Sequence, residues 1–231
     1  MNITHPKPYK YFPYFLAIFI TLYLTQEVLL NRLILIGPGY VTGGTFIYFA
    51  TPLLTDVVAE VYGYRVARQM LWCGIFAMLF LAITLAIVLR LPYPPFWQNT
   101  AESYTIALKS TARAVIVGDI AILVGQFLNA YLITKWKILV RGRYFWLRSV
   151  GSSIVGDTIT VSLAILGIFG GRMSTDALLT TLIPELVIMV FFTALGAFPA
   201  SIIAKILAKA ENLNNFDIGV NFNPFKLDAS N

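Results

Sequence analysis

The stretch Thr55–Arg68, TDVVAEVYGYRVAR, places two acids and two arginines at the end of a long apolar run. On a helix Asp56 and Glu60, four residues apart, share one face about one turn from each other. A charge at membrane depth costs roughly 2.5–3.5 kcal/mol on insertion scales and usually turns toward a bundle interior or a wet cavity. Asp56 therefore reads as a site residue. Tyr62-Gly63-Tyr64-Arg65 resembles a helix end at the headgroups, so Glu60 reads either as a solvated helix end or as a site wall, with Arg65 and Arg68 as interface anchors.

The rest of the chain gives this stretch its setting. Of its 231 residues 58% are hydrophobic and only 12% charged, against about 25% charged in soluble domains. Six apolar runs reach the roughly 20 residues needed to cross a hydrocarbon core: about 12–36, 44–62, 70–89, 112–133, 147–169 and 177–207. The expected fold is an all-α polytopic membrane protein with six transmembrane helices. It comprises a tail over residues 1–11, a membrane domain over 12–207 and a loose polar tail over 208–231. The first run holds Glu27 and no small-residue cleavage site, so it reads as a retained span and not a signal peptide. Gly37-Pro38-Gly39 stops it. Pro52 should kink the second span just ahead of Asp56, and Tyr93, Phe96 and Trp97 fit an interfacial aromatic belt.

With the N-terminus cytoplasmic, twelve Lys and Arg fall on the inside and five on the outside, with both termini inside. The net charge of +6 thus describes topology and not nucleic-acid binding. One cysteine, Cys73, excludes an internal disulfide and a cysteine metal cluster, and the one histidine, His5, lies in the tail. Neither HExxH nor GxSxG occurs. An intramembrane enzyme, with Asp119 and Asp157 sharing a proton, is therefore a minor alternative, and a membrane scaffold is another. A scaffold would gain nothing from buried acids.

Six acids fall in or beside the spans: Glu27, Asp56, Glu60, Asp119, Asp157 and Glu185. Gln26, Asn31, Gln126, Asn129, Ser153, Thr158 and Thr160 accompany them. Such an interior solvates something. Carboxylates beside amides pair well with a small planar solute, and Trp72, Tyr48, Tyr62 and Phe127 could stack on it. Gly118-Asp119 and Gly156-Asp157 recur on the fourth and fifth spans, where the glycines would allow close helix approach or the acids would serve as ligands. Asp56, Glu60 and Asp157 are expected to face one cavity.

TDVVAEVYGYRVARQMLW (Thr55–Trp72) resembles the T-D-hydrophobic-x-x-E-x-Y-G-x-x-x-A-R segment of the queuosine precursor transporter family, also called the VUT family. GQFLNAYLITKWK (Gly125–Lys137) and WLRSVGSSIVGDTITVSLAIL (Trp146–Leu166) resemble two further segments of that family. The resemblance implies a six-helix bacterial inner-membrane protein, similar to the substrate-binding components of energy-coupling-factor transporters. It would take up 7-cyano-7-deazaguanine, its aminomethyl relative or the free base by alternating access, with no cofactor. An energy-coupling module or a second copy is left open as partner, and another vitamin-like solute as substrate. The resemblance implies Asp56, Glu60, Gln126, Asn129, Ser153 and Asp157 as substrate-binding residues, and Tyr62, Gly63, Arg68 and Arg148 as structural or gating ones. Asp157 or Glu60 would accept the adjacent N–H donors of a guanine-like edge, and Gln126 and Asn129 would read its O6/N7 side. Asn129 stands where many relatives have Asp, and Gly156 where many have Gln; both departures bear on substrate choice.

Overall fold

A computed structural model of the protein describes residues 9–30, 32–37, 39–109, 111–213, 217 and 219–226. His5, Asn31, Pro38 and the last five residues lie outside the described residues. Helix α1 (Phe12–Leu30) is followed by a hairpin, β1 (Leu33–Ile36) and β2 (Gly39–Thr42). Next come α2 (Thr45–Tyr48), α3 (Ala50–Tyr62), α4 (Tyr64–Val88), a 3₁₀ turn (Pro95–Trp97) and α5 (Gln98–Leu108). Three long helices close the bundle: α6 (Thr111–Leu139), α7 (Phe145–Phe169) and α8 (Thr175–Glu211).

Among the described residues, five stretches are long and apolar enough to cross a membrane: Phe12–Leu30, Tyr64–Val88, Pro95–Leu139 ending in α6, Phe145–Phe169 and Thr175–Glu211. Their outer faces carry large apolar side chains, such as Ile183, Val187, Phe191, Leu195 and Phe198 along α8, while Asp56, Asn129, Ser149, Ser153 and Asp157 are buried inside. Apolar outside and polar inside is the arrangement lipid imposes, since hydrocarbon satisfies no polar group. The chain is a multi-pass, mainly helical membrane protein.

Three expectations are corrected. The first apolar run is not one helix to Ile36: α1 stops at Leu30 and Leu33–Ile36 pairs antiparallel with Gly39–Thr42, Leu33 facing Thr42. The chain is therefore not wholly α-helical. Gly37 closes the hairpin at φ 56°, a conformation that costs glycine little. The hairpin packs on α8, where Pro184 has no N–H for the Thr180 carbonyl one turn back. A Cβ on Gly39 would lie 2.8 Å from that carbonyl, so only glycine lets β2 sit so close.

The second run is also not one helix, since Phe49 interrupts it between α2 and α3. Pro52 is the physical cause: it cannot donate to the Tyr48 carbonyl, and the Thr51 hydroxyl takes that acceptor at 2.8 Å instead. The break thus falls about one turn ahead of the proline. Gly63, at φ 91°, turns the chain from α3 into α4.

The third correction concerns the C-terminal tail, whose described residues dock on the bundle. Asp217 accepts from the Tyr64 N–H (3.1 Å) at the start of α4. Arg68 donates to the carbonyls of Asn221 (3.2 Å) and Asn223 (2.7 Å), Trp72 to that of Pro224 (2.8 Å), and Tyr64 to that of Phe222 (3.0 Å).

Helices α6 and α7 make the closest contact. A Cβ on Gly156 would stand 2.7 Å from the Gly125 carbonyl, and one on Gly125 would collide with Thr160 and the Gly156 carbonyl. The two glycines let the backbones touch. Gly118, expected to do likewise, has open space at its Cβ position and borders a cavity instead.

Candidate functional site

The polar interior forms three layers and a cavity. The first layer joins α3 to α7. Arg148 meets Glu60 through both terminal nitrogens, with Nη1 and Nη2 each 3.1 Å from carboxylate oxygens. It also donates to the carbonyls of Arg143 (3.0 Å) and Ile133 (3.2 Å). Lys137 stands 3.9 Å from the same carboxylate and donates to the Glu60 carbonyl. The Glu60 side chain keeps 17% exposure and faces an opening of about 830 Å³ between the α6–α7 turn and α8. That opening also holds Arg141, Arg143 and Lys205.

The second layer surrounds Asp56, which is wholly buried. It accepts from Asn129 Nδ2 (2.9 Å), Ser149 Oγ (2.5 Å) and Ser153 Oγ (3.4 Å), tying α3 to α6 and α7. Ser149 was not foreseen in the sequence. Its place one turn before Ser153 on α7 is the signal that could have found it.

The third layer joins α6 and α7 to α2. Gln126 Nε2 donates to Asp157 Oδ1 (2.6 Å) and to Tyr48 OH (2.8 Å), and Tyr48 OH lies 3.3 Å from the same carboxylate oxygen. Asp157 Oδ2 and Asn129 Oδ1 are buried with no hydrogen-bond partner among the described residues. A buried acceptor left without a donor costs about 1–3 kcal/mol, more when charged.

Beyond Tyr48 and Thr160 lies a narrow cavity of about 80 Å³ between α1, the hairpin, α6, α7 and α8. Ile122, Val161, Ile165, Ile168 and Phe169 make it apolar on one side. On the other, Glu185 accepts from the Thr42 N–H (2.9 Å), the Thr42 hydroxyl (3.0 Å) and the Thr45 hydroxyl. Gln26 and Glu27 also line it, each with a buried side-chain oxygen that has no partner among the described residues. Close by, Tyr23 donates to Asp119 Oδ1 (3.2 Å).

The three acids expected in one cavity are therefore separated: Glu60 lines the wide opening, Asp56 is enclosed by its donors, and Asp157 meets the narrow cavity through Tyr48. Gln126 sits with Asp157, and Asn129 and Ser153 sit with Asp56. Of the four aromatics expected to stack on a solute, Tyr48 alone is among the described lining residues. Tyr62 bonds Glu211 (2.8 Å), while Trp72 rests against Phe127 and Phe225. Gly63 and Arg68 shape the start of α4 and its tail contact.

A family model described as a putative vitamin uptake transporter matches residues 42–204, more than two thirds of the chain. No curated protein and no solved structure matches. The matched segment spans all three polar layers and most of the cavity wall, and begins after Gln26 and Glu27.

Proposed function

Because this chain belongs to the vitamin uptake transporter family, we propose that it carries a queuosine precursor into a bacterial cell across the inner membrane. The candidates are 7-cyano-7-deazaguanine, its aminomethyl relative and the free base. The observation that carries this reading is an apolar slot bordered by Gln26 and Glu27 oxygens that no described residue satisfies, with the equally unpartnered Asp157 oxygen buried beyond Tyr48. Once widened, the slot would hold a flat heterocycle between Ile122 and the α7 side chains, with its adjacent N–H donors toward the unpartnered Asp157 oxygen. Asp157, oriented by Gln126 and Tyr48, is the acid assigned to the guanine-like edge, with Asn129 and Ser153 behind it. At about 80 Å³ the cavity is smaller than typical ligand pockets of roughly 300–1,000 Å³, so this is a closed form that widens to admit solute.

Counting α2 and α3 as one broken crossing gives six, with both termini cytoplasmic and the basic α6–α7 turn on the same side. Broken helices beside a polar site are common where transporters bind substrate. Equilibrium binding to the purified protein in lipid nanodiscs tests the reading. Saturable binding of either precursor, weakened by Asp157→Asn, is the expected result. Binding of neither, by a protein that remains folded, overturns it.

A further inference from the structure

We infer that the narrow cavity selects a solute carrying a positively charged amine, so that of the two deazaguanines the aminomethyl compound is preferred over the cyano compound. This rests on the uptake reading above and narrows it. Two carboxylates on different elements, Glu27 of α1 and Glu185 of α8, border the same cavity, and no Lys, Arg or His is among its described lining residues. Glu185 is held by three donors from Thr42 and Thr45. Glu27 is 4% exposed, and its Oε1 has no partner among the described residues; Gln26, 8% exposed, presents a second unpartnered oxygen beside it. Among the described residues the cavity thus offers carboxylate and amide acceptors without a cation of its own.

The contrast with Glu60 is instructive. That carboxylate, on the other side of the polar core, has Arg148 and Lys137 from the protein itself. Glu27 has no such cation among the described residues, and an ammonium group supplies one: a compact charge with three donors, matched to carboxylate and amide oxygens. The aminomethyl group is protonated near neutral pH, whereas a nitrile is neutral and only accepts hydrogen bonds. A nitrile placed against Glu27 and Gln26 would leave both oxygens unsatisfied. Glu27 also precedes the segment that matches the family model, so this preference need not be shared by the whole family.

The test is uptake of each compound by cells that make neither and express the tagged protein, with membrane abundance measured in parallel. The expected result is a preference of about tenfold or more for the aminomethyl compound, the scale of a charge-assisted hydrogen bond. Glu27→Gln should reduce that preference about tenfold, and Glu185→Gln should reduce it too. Equal uptake, or faster uptake of the cyano compound by the parent protein, overturns the amine preference and leaves the uptake reading standing. Uptake of neither overturns both. A parent preference that survives Glu27→Gln and Glu185→Gln unchanged overturns the assignment to these acids. The parent comparison needs no variant to fold.

Discussion

Replacing Arg148 with methionine should be among the most damaging single changes in the bundle. Arg148 is 3% exposed and makes two-nitrogen contact with Glu60 while donating to two carbonyls, those of Arg143 and Ile133. Methionine preserves length and apolar volume but leaves the half-buried Glu60 carboxylate at the wide opening without its two-nitrogen partner, Lys137 standing 3.9 Å away. Removing one member of a buried pair costs about 3–5 kcal/mol. For a domain of this size each kcal/mol moves the midpoint by about 2–4 °C, so a drop of roughly 6–20 °C is expected. Thermal unfolding in a fixed detergent reads it. Glu60→Gln should also destabilise, and the double variant should cost less than the sum of the two, with a coupling of about 1–3 kcal/mol. A loss under about 1 kcal/mol with no coupling would refute the argument, because that is how a solvated surface pair behaves.

Gly125→Ala and Gly156→Ala should each force α6 and α7 apart at a cost of about 1–3 kcal/mol, whereas Gly118→Ala, with open space at its Cβ, should unfold like the parent; the same melting assay separates them. Truncation after Leu213 removes the five hydrogen bonds that the tail's described residues make to Tyr64, Arg68 and Trp72, a loss of about 5 kcal/mol at roughly 1 kcal/mol each. Trp72 fluorescence should shift to the red if docking is lost and stay unchanged if the tail contributes nothing. Burial raises the Asp217 carboxyl above its ordinary 3.8, the Tyr64 N–H only partly offsetting this. A group whose folded pKa is raised binds more protons in the docked state, so docking weakens as pH rises from about 4 through the folded value. Hydrogen exchange at the start of α4 should show that slope in the parent and lose it in Asp217→Asn.

The membrane class was legible because six apolar runs and sparse charge admit few other folds. The hairpin was hidden: Leu33–Ile36 prolongs the apolar run of α1, and periodicity does not separate a short apolar strand from a helix segment. Pro52 signalled a disturbed helix, but the position of the break depended on Thr51 reaching back to the Tyr48 carbonyl. The docked tail left little side-chain signal, since Arg68 and Trp72 seek its backbone carbonyls and Asp217 takes a backbone N–H. Within the site, the buried acids stood out as costly residues, and the Gln126–Asn129 and Ser153–Asp157 spacings put each pair on one face of its own helix. Which acid receives an arginine and which borders a cavity depends on helix rotation and packing. Glu60 and Glu27 look alike in sequence and differ only in their neighbours.

The central claim, uptake of a queuosine precursor, is tested most directly in cells that cannot make one. The measurement is queuosine in tRNA after feeding 7-cyano- or 7-aminomethyl-7-deazaguanine, with and without this protein. The account predicts queuosine only when the protein is present, and a marked loss with Asp157→Asn. No queuosine from either compound, with the protein verified in the membrane, would contradict it.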